Sequence, residues 1–353
     1  MARRGIGIIG TGKISGIYLK NLTGRFSKQV QVTAVADQHR ESAEEAGALY
    51  KVPVFPDAAA LIASPDVDIV LNLTPPQGHY QIALDAIRAG KHVYNEKPLC
   101  ISRDQAAELL QTAADNKVRV GCAPDTFLGA GIQTSRKIIN DGWIGKPLAA
   151  VAFMMNAGPE NWHPNPAFFY KTGAGPLFDV GPYYLTALIH LLGRVTRVSG
   201  SAIMPVKTRT IGSEPLKGTV IDVEVPTHVA GTLDFASGVV ATIITSFEIR
   251  VPSQLPWIDI YGTEGTLQVP DPNTFGGPVL LKRINNESWS EFPLLSEHAC
   301  DCRGLGITDM AEAINEGRPH LASGKLAYHV LDVMHGFYDA SSSGRSYKIK
   351  KDK

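Results

Sequence analysis

Up to about Cys122 the chain alternates short β-branched runs with helical stretches, and few folds accept that pattern. The runs are Ile6 to Gly10, Gln31 to Asp37, Asp68 to Thr74, His92 to Glu96 and Arg119 to Cys122. Glu41 to Tyr50, His79 to Ala89 and Ser102 to Asn116 read as the intervening helices. The last begins at Ser102 with Gln105 three residues on, a capping-box spacing that satisfies two orphan backbone amides. Strands separated by helices pair in parallel, so residues 1–122 are expected to form a doubly wound α/β domain.

From about Ala149 the character changes to longer alternating strands joined by Gly-rich turns. Thr227 to Phe235, Val239 to Phe247, Trp257 to Gly262 and Thr266 to Val269 are such strands, with hairpin turns at Asp234 to Gly238 and Gly262 to Gly265. Pro176 to Leu192, Gly304 to Glu316 and Lys325 to Ser341 read as helices. Residues 123–353 should therefore form an α+β domain, a mostly antiparallel sheet with helices on one face. The chain's 353 residues suit two domains, because single cores stop growing near ~250–300 residues.

Gly10-Thr11-Gly12-Lys13-Ile14-Ser15 follows the first run and opens a helix, the context that gives a Gly-rich turn its meaning. Gly10 makes the tight turn, Gly12 lets a pyrophosphate approach the backbone, and the helix start supplies amides and a positive dipole. Ser15 replaces the usual third Gly or Ala but is small enough for close packing. Asp37 ends the second run, about twenty residues further on, where an acid accepts hydrogen bonds from the adenosine ribose. A carboxylate there repels a 2′-phosphate, which favours NAD over NADP; His39 and Arg40 pull the other way. The plainer alternative for Asp37 is a helix N-cap. Ligands of a parallel sheet bind beyond the carboxyl ends of its strands, and Gly10, Asp37, Thr74-Pro75-Pro76 with His79, and Glu96-Lys97-Pro98 all fall there.

Composition narrows the partners. Lys plus Arg (34) balance Asp plus Glu (34), so no global field recruits nucleic acid or an anionic membrane. No apolar stretch reaches the ~18 residues of a membrane span, and Met1-Ala-Arg-Arg runs directly into the first strand rather than into a signal peptide. A cytoplasmic location is expected. Cys100, Cys122, Cys300 and Cys302 contain no C-x-x-C pair; His298, Cys300 and Cys302 could gather a soft metal, but the spacing is unlike structural zinc and no metal is expected.

Beyond the Gly-rich turn and Asp37, the chain carries Ala86-Ile-Arg-Ala-Gly-Lys-His-Val-Tyr-Asn-Glu96-Lys97-Pro98 and Gly173-Ala-Gly-Pro-Leu-Phe-Asp179-Val-Gly-Pro-Tyr183. With these it resembles, over essentially its whole length, the Gfo/Idh/MocA oxidoreductase family. The resemblance implies a Rossmann domain and a second domain whose open sheet makes homodimer or homotetramer contacts. It also implies hydride transfer between a nicotinamide and a hydroxyl or carbonyl carbon of a sugar or polyol.

By the same resemblance Lys97 hydrogen-bonds the reacting oxygen. It does so as a proton acceptor, which requires its pKa to be lowered, or as a charged donor. Asp179 and Tyr183, four positions apart at the start of a helical stretch, project from one face. Tyr183 stands where many relatives have His, and a phenol can donate to the reacting oxygen or relay a proton. Asp179 orients the substrate, or else is a helix-terminal carboxylate satisfying amides. Trp162, His163 and Tyr170 offer an aromatic and hydrogen-bonding mixture suited to a sugar, with a core or interface loop as the competing reading. Ala123-Pro-Asp125-Thr126 replaces the family's common Asn-Arg-Arg, so polar substrate contacts should differ. Two other functions stay open: an enzyme that retains NAD for transient oxidation in epimerisation, elimination or glycoside cleavage, and a non-catalytic NAD-binding sensor. Retention of Glu96-Lys97-Pro98 and Asp179 argues against the sensor.

Overall fold

A computed structural model describes residues 3–251 and 253–350. The chain divides into two compact units, Met1–Asp125 with Asp301–Leu331, and Thr126–Cys300 with Asp332–Lys353. The expected boundary after residue 122 lies beside the crossing at Asp125, but residues 301–331, assigned from sequence to the second domain, belong to the first unit.

The first unit opens with β1 (Arg4–Ile9), α1 (Ser15–Thr23), β2 (Val30–Ala36), α2 (Arg40–Tyr50) and α3 (Ala58–Ala63). It continues with β3 (Ile69–Asn72), α4 (Pro76–Arg88), β4 (His92–Asn95), α5 (Arg103–Asp115) and β5 (Val120–Cys122). The five strands pair in parallel in the order β2-β1-β3-β4-β5. Val54 adds an isolated parallel bridge to Val35, a one-residue strand outside β2. Counting it, the order across the sheet is the 3-2-1-4-5-6 of dinucleotide-binding domains, whose winding reverses between β1 and β3. Ile6, Ile8, Val35, Ile69, Val70, Leu71 and Val93 are fully buried, as apolar runs covered on both faces must be. At α5 the Ser102 hydroxyl accepts the Gln105 amide at 3.3 Å. The capping box is one-sided, since Gln105 Oε1 is buried without a partner.

The second unit contains α6 (Ala130–Asn140), β6 (Pro147–Met155), α7 (Gly175–Asp179), α8 (Gly181–Leu192), β7 (Val195–Ile203), β8 (Thr208–Thr210) and β9 (Val220–Asp222). Then come β10 (His228–Phe235), β11 (Val240–Ser246), β12 (Ile258–Gly262), β13 (Gly265–Val269), β14 (Val279–Arg283) and β15 (Ser290–Phe292). The chain then returns to the first unit with α9 (Leu305–Glu316), continues through α10 (Gly324–Ser343), and ends the second unit's sheet with β16 (Tyr347–Lys348). Among the described residues this sheet runs β15-β14-β13-β12-β6-β11-β10-β7-β16, antiparallel except where β6 lies parallel to β11. Both expected hairpins form, β10 with β11 and β12 with β13. Ala150, Ala152, Ala241, Ile243, Ile258 and Ile260 bury one face, while Val151, Phe153 and Ile244 on the other are half-buried and Val240 and Tyr261 exposed. That alternation is the period-2 signature of a sheet covered on one side. The helix expected over Pro176 to Leu192 is broken at Val180 (φ −106°, ψ −29°) into α7 and α8. Pro182 has no N–H to continue the ladder, so a new helix starts there.

Asp125, 1% exposed, accepts the backbone amides of Gly304 at 2.9 Å and Gly306 at 3.0 Å with one carboxylate oxygen. It thereby supplies the cap that Gly304 (φ 103°) cannot give to α9. Burial pushes its carboxyl up to about 6 despite these donors. A folded-state value above the unfolded one means that the stability Asp125 contributes is complete below about pH 4 and is lost as pH rises through about 6. Asn accepts the same amides without a charge. Asp125→Asn should therefore gain on the order of 2–3 kcal/mol relative to the parent between pH 4 and pH 7. Urea unfolding at the two pH values reads this directly, and an equal gap at both would refute it.

Candidate active site

The turn after β1 is built on Gly10, which sits at φ 98° with its amide donated to the Ala36 carbonyl at 2.9 Å. A Cβ there would lie 2.8 Å from the Leu73 carbonyl carbon and the Thr74 amide, so only glycine fits between β1 and the end of β3. Gly12 is the opposite case: a Cβ added to it meets nothing within 4 Å, and its backbone faces open space at the start of α1. Ser15 is not mere small packing, since its hydroxyl donates to the Gly12 carbonyl at 2.7 Å and its amide to the same oxygen at 3.0 Å. Lys13 is exposed and Ile14 half-buried at the N-cap of α1.

Asp37 stands one residue beyond β2. One of its oxygens accepts the Thr11 amide at 2.7 Å and hydroxyl at 3.2 Å; the other accepts the His39 amide at 2.8 Å. It is therefore not the N-cap of α2, which is His39 without a side-chain cap bond. It ties the Gly-rich loop to the turn after β2. Arg40, weighed against NAD from sequence, is ion-paired with Glu44 along its own helix at 2.7 Å.

At the ends of β3 and β4 two fully buried amides face each other in register. Asn72 Nδ2 donates to Asn95 Oδ1 at 3.2 Å, and Asn95 Nδ2 donates to the Leu99 carbonyl at 3.0 Å. Asn72 Oδ1 also accepts the Thr74 hydroxyl at 2.7 Å, fixing the loop that leads through the exposed Pro75 to Pro76 at the first position of α4. His79, expected at the cofactor, is instead fully buried beneath that loop. Its ring nitrogens lie 2.6 Å from the Pro98 carbonyl and 2.8 Å from the Thr74 carbonyl, so it clamps two loops. Burial pushes its pKa below the usual value, although the two carbonyls favour protonation. Glu96, also expected at the cofactor, is 8% exposed and faces inward, accepting the Tyr18 hydroxyl and the Lys97 amide, each at 2.8 Å. Lys97 itself is half-buried.

In the second unit Asp179 is the last residue of α7, half-buried, and Tyr183 lies in the first turn of α8 at 8% exposure. The break at Val180 means they do not share one continuous helix. Trp162 (63% exposed) and the half-buried His163 join Phe168 and Phe169 in an aromatic cluster, with the His163 and Trp162 ring centroids 5.5 Å apart. Tyr170, read from sequence as a substrate contact, is fully buried and its hydroxyl donates to Glu160. Burial and that carboxylate push its phenol well above the usual value. It anchors the loop rather than presenting a hydroxyl to solvent.

Sequence reasoning missed what holds these parts. Arg209, at the start of the small β8–β9 ribbon, pairs with Glu160 and with Glu248 (2.6 Å) and lies 5.2 Å over the Tyr170 ring. Asn72 and Asn95 were legible as polar residues closing apolar strands; Tyr18 had no signal beyond its place in α1. Cys302 is buried with Arg25 donating to its sulfur at 3.3 Å, while Cys300 is exposed. Among the described residues no group of three or more His, Cys, Asp or Glu is placed to hold a metal, and no helix is long and apolar enough to cross a membrane.

Residues 4–123 match the family model described as "Oxidoreductase family, NAD-binding Rossmann fold", and residues 132–268 match the C-terminal domain model of the same family. The chain belongs to the Gfo/Idh/MocA family. It is an oxidoreductase of a family with NAD-binding Rossmann domains and sugar and polyol dehydrogenases among its members. D-glucoside 3-dehydrogenase of Escherichia coli is 26% identical over 357 aligned residues, 98% of this chain and 97% of that protein. An inositol 2-dehydrogenase of Pseudomonas fluorescens is 31% identical over 62% of this chain and 66% of its own length. A solved NAD-binding oxidoreductase from Klebsiella pneumoniae superposes with TM-score 0.85 at 25% identity, covering 99% of this chain and all of that one.

The residues present fit the family's dinucleotide. Gly12 leaves backbone open at a helix start, and Asp37 offers a carboxylate at the neighbouring strand end. Two substitutions separate fold from binding. Gly10→Ala should cost about 1–3 kcal/mol or more, from the left-handed φ and the Leu73–Thr74 backbone clash. Gly12→Ala should leave the melting temperature unchanged and weaken NAD⁺ at least ~10-fold by calorimetric titration. Unchanged affinity in Gly12→Ala would place the pyrophosphate elsewhere.

Proposed function

We propose that this chain is an NAD-dependent dehydrogenase or reductase acting on a hydroxyl or carbonyl carbon of a sugar, glycoside or polyol. The observation that carries the reading is convergence. The Gly-rich turn, Asp37, Thr74 and Lys97 all follow the carboxyl ends of one parallel sheet, in a chain related end to end to a D-glucoside 3-dehydrogenase.

Bound NAD supplies the hydride acceptor in oxidation and the donor in reduction. Gly10, Thr11, Gly12, Lys13 and Ile14 cradle its pyrophosphate, and Thr74, Pro75 and Pro76 border the nicotinamide side. Asp37 has two backbone amides fixing its orientation, and the weaker Thr11 hydroxyl contact at 3.2 Å is the one that ribose hydroxyls displace. Lys97 hydrogen-bonds the reacting oxygen, taking its proton or holding it as an ammonium, and Tyr183 supplies the complementary donor or relay. Asp179 orients the substrate hydroxyl. Trp162 and His163 offer an apolar face to the ring, as pyranose recognition requires.

Two further parts of the reading concern setting. The apolar residues on the uncovered face, Val151, Phe153, Ile244 and Val240, support a homodimer or homotetramer through the sheet. Four cysteines outside any disulfide and a nicotinamide cofactor support the cytoplasm.

The test is a panel of polyols, aldoses and glycosides with NAD⁺ and NADP⁺, read at the reduced-nicotinamide absorbance. Stoichiometric NADH supports turnover by hydride transfer to free cofactor; product without NADH would mean that the cofactor is retained. Lys97→Met should keep the fold and NAD binding while turnover falls at least ~10²-fold. Tyr183→Phe should lower kcat with little change in melting temperature, and lost stability with full activity would make it a core residue. For the cofactor, a 2′-phosphate charge ~4 Å from Asp37 costs about 4 kcal/mol at an effective dielectric near 20, before relaxation reduces it. We therefore expect kcat/KM for NAD⁺ at least ~10-fold above that for NADP⁺, and reversal in an Asp37→Ser, Gln38→Arg variant. Equal use of both by the parent would show that Asp37 serves only its loop.

A further inference from the structure

The β8–β9 ribbon is a two-stranded sheet of its own, separate from the nine-stranded sheet, and it holds the segment 157–171 at three places. At one end Arg209 donates to the Ala157 carbonyl at 3.2 Å and pairs with Glu160. In the middle the amides of Gly212 and Ser213 donate to the Glu160 carbonyl at 2.9 and 3.2 Å, and the Ser213 hydroxyl donates to the His163 carbonyl at 2.5 Å. At the other end the Glu224 amide donates to the Tyr170 carbonyl at 2.9 Å, and its carboxylate pairs with Lys171 at 2.8 Å. The ribbon is anchored in turn just past β11, where Arg209 donates to the Phe247 carbonyl at 3.0 Å and pairs with Glu248 at 2.6 Å. Trp162, 63% exposed, lies in the chain between the Glu160 and His163 tethers.

We propose that Arg209 and Ser213 are positioning residues for sugar binding: they hold the backbone on either side of Trp162 and so set where its indole stands when the ring arrives. The idea rests on the reading of Trp162 as a face for the sugar. A side chain on an untethered loop has to be ordered at the moment of binding, which weakens affinity, whereas a tethered one was ordered during folding. Arg209, its side chain 10% exposed among two carboxylates and two carbonyls, acts through the loop and not by touching the ring. The indole gives the same contact to substrate and transition state, so losing its brace costs binding and leaves the chemical step alone.

The test is a double-mutant cycle on the full-length protein, read by calorimetry as the dissociation constant of a panel sugar with NADH present. That measurement needs no turnover. Trp162→Ala should weaken the sugar at least ~10-fold, the scale of losing an aromatic anchor. Arg209→Met should weaken it ~3- to 10-fold, the scale of ordering one loop side chain. The two should not multiply. With the indole gone its brace has nothing to position, so Arg209→Met added to Trp162→Ala should weaken the sugar no more than about 1.5-fold further. A structural role alone makes the effects independent, and effects that multiply overturn the proposal. On a sugar that is turned over, Arg209→Met should raise KM while kcat and the NAD⁺ dissociation constant stay within about twofold. Lys137→Met, which deletes an exposed ion pair within α6, is the control and should change neither constant. Should Arg209→Met fail to fold, Ser213→Ala keeps the ion pairs and enters the same cycle, with a ~3-fold effect that vanishes beside Trp162→Ala. Unchanged sugar affinity in Trp162→Ala removes the ring face and the proposal with it. The dehydrogenase reading fails separately: a sugar that binds without being oxidised sinks that reading and leaves the cycle readable.

Discussion

A parallel sheet brings the carboxyl ends of its strands to one edge, and each strand that stops there leaves polar backbone that must find partners. This chain meets the constraint with side-chain amides. Asn72 and Asn95, opposite each other at the ends of β3 and β4, bond to one another and reach the Thr74 and Leu99 segments, while Asn72 Nδ2 and Asn95 Nδ2 both approach the His79 carbonyl at 3.3 and 3.4 Å. Both are fully buried, where an unpaired amide costs about 1–3 kcal/mol. Their mutual bond therefore fixes where the Thr74 and Lys97 loops leave the sheet. His79, Glu96 and Tyr18 build upon that fixed edge, and each is a hydrogen-bonding residue in an otherwise apolar layer.

The second unit solves a similar problem with charge. Glu160 and Glu248, with Arg209 between them, are at most 20% exposed, so removing the arginine would leave two buried carboxylates without their counter-ion. Such a cluster adds little net stability over apolar packing, but it is directional. Arg209 also bonds to the Ala157 and Phe247 carbonyls at 3.2 and 3.0 Å, and Tyr170 reaches Glu160. The segment from Ala157 to Tyr170 is thus tied at both ends, and the exposed indole of Trp162 sits on a braced loop. Rigid aromatic surface presents an apolar face without an ordering cost at binding.

What the sequence made legible were features with a short-range cause. Apolar runs punctuated by helices gave the parallel sheet, Gly10 announced its positive φ, and Asp234 to Gly238 and Gly262 to Gly265 marked hairpins that form. What it hid depends on partners far away in the chain. Asp125 looked like a departure in a substrate loop, yet its carboxylate bonds to amides about 180 residues later. Tyr170 and His79 had the right chemistry for ligand contacts and the wrong burial, which local pattern cannot report. The single helix read through Pro182 failed for a local reason: apolar periodicity outweighed a proline that had the power to break it.

The two carboxylates expected at the cofactor illustrate how role follows from what is already bonded. Asp37 and Glu96 both stand at strand ends and both accept a backbone amide of the dinucleotide edge. Asp37 remains half-buried, with a hydroxyl contact of 3.2 Å as its weakest bond, so a ribose can compete for it. Glu96 is buried and spends its second oxygen on a phenol at 2.8 Å, a partner that only a rearrangement of α1 would release. Exchanging a ligand hydroxyl for a weak internal bond is nearly neutral, whereas giving up a buried charged acceptor's donor is not. Two carboxylates at the same edge thus differ in what they could exchange: Asp37 keeps one weak internal bond, whereas Glu96 is held by close donors on both oxygens.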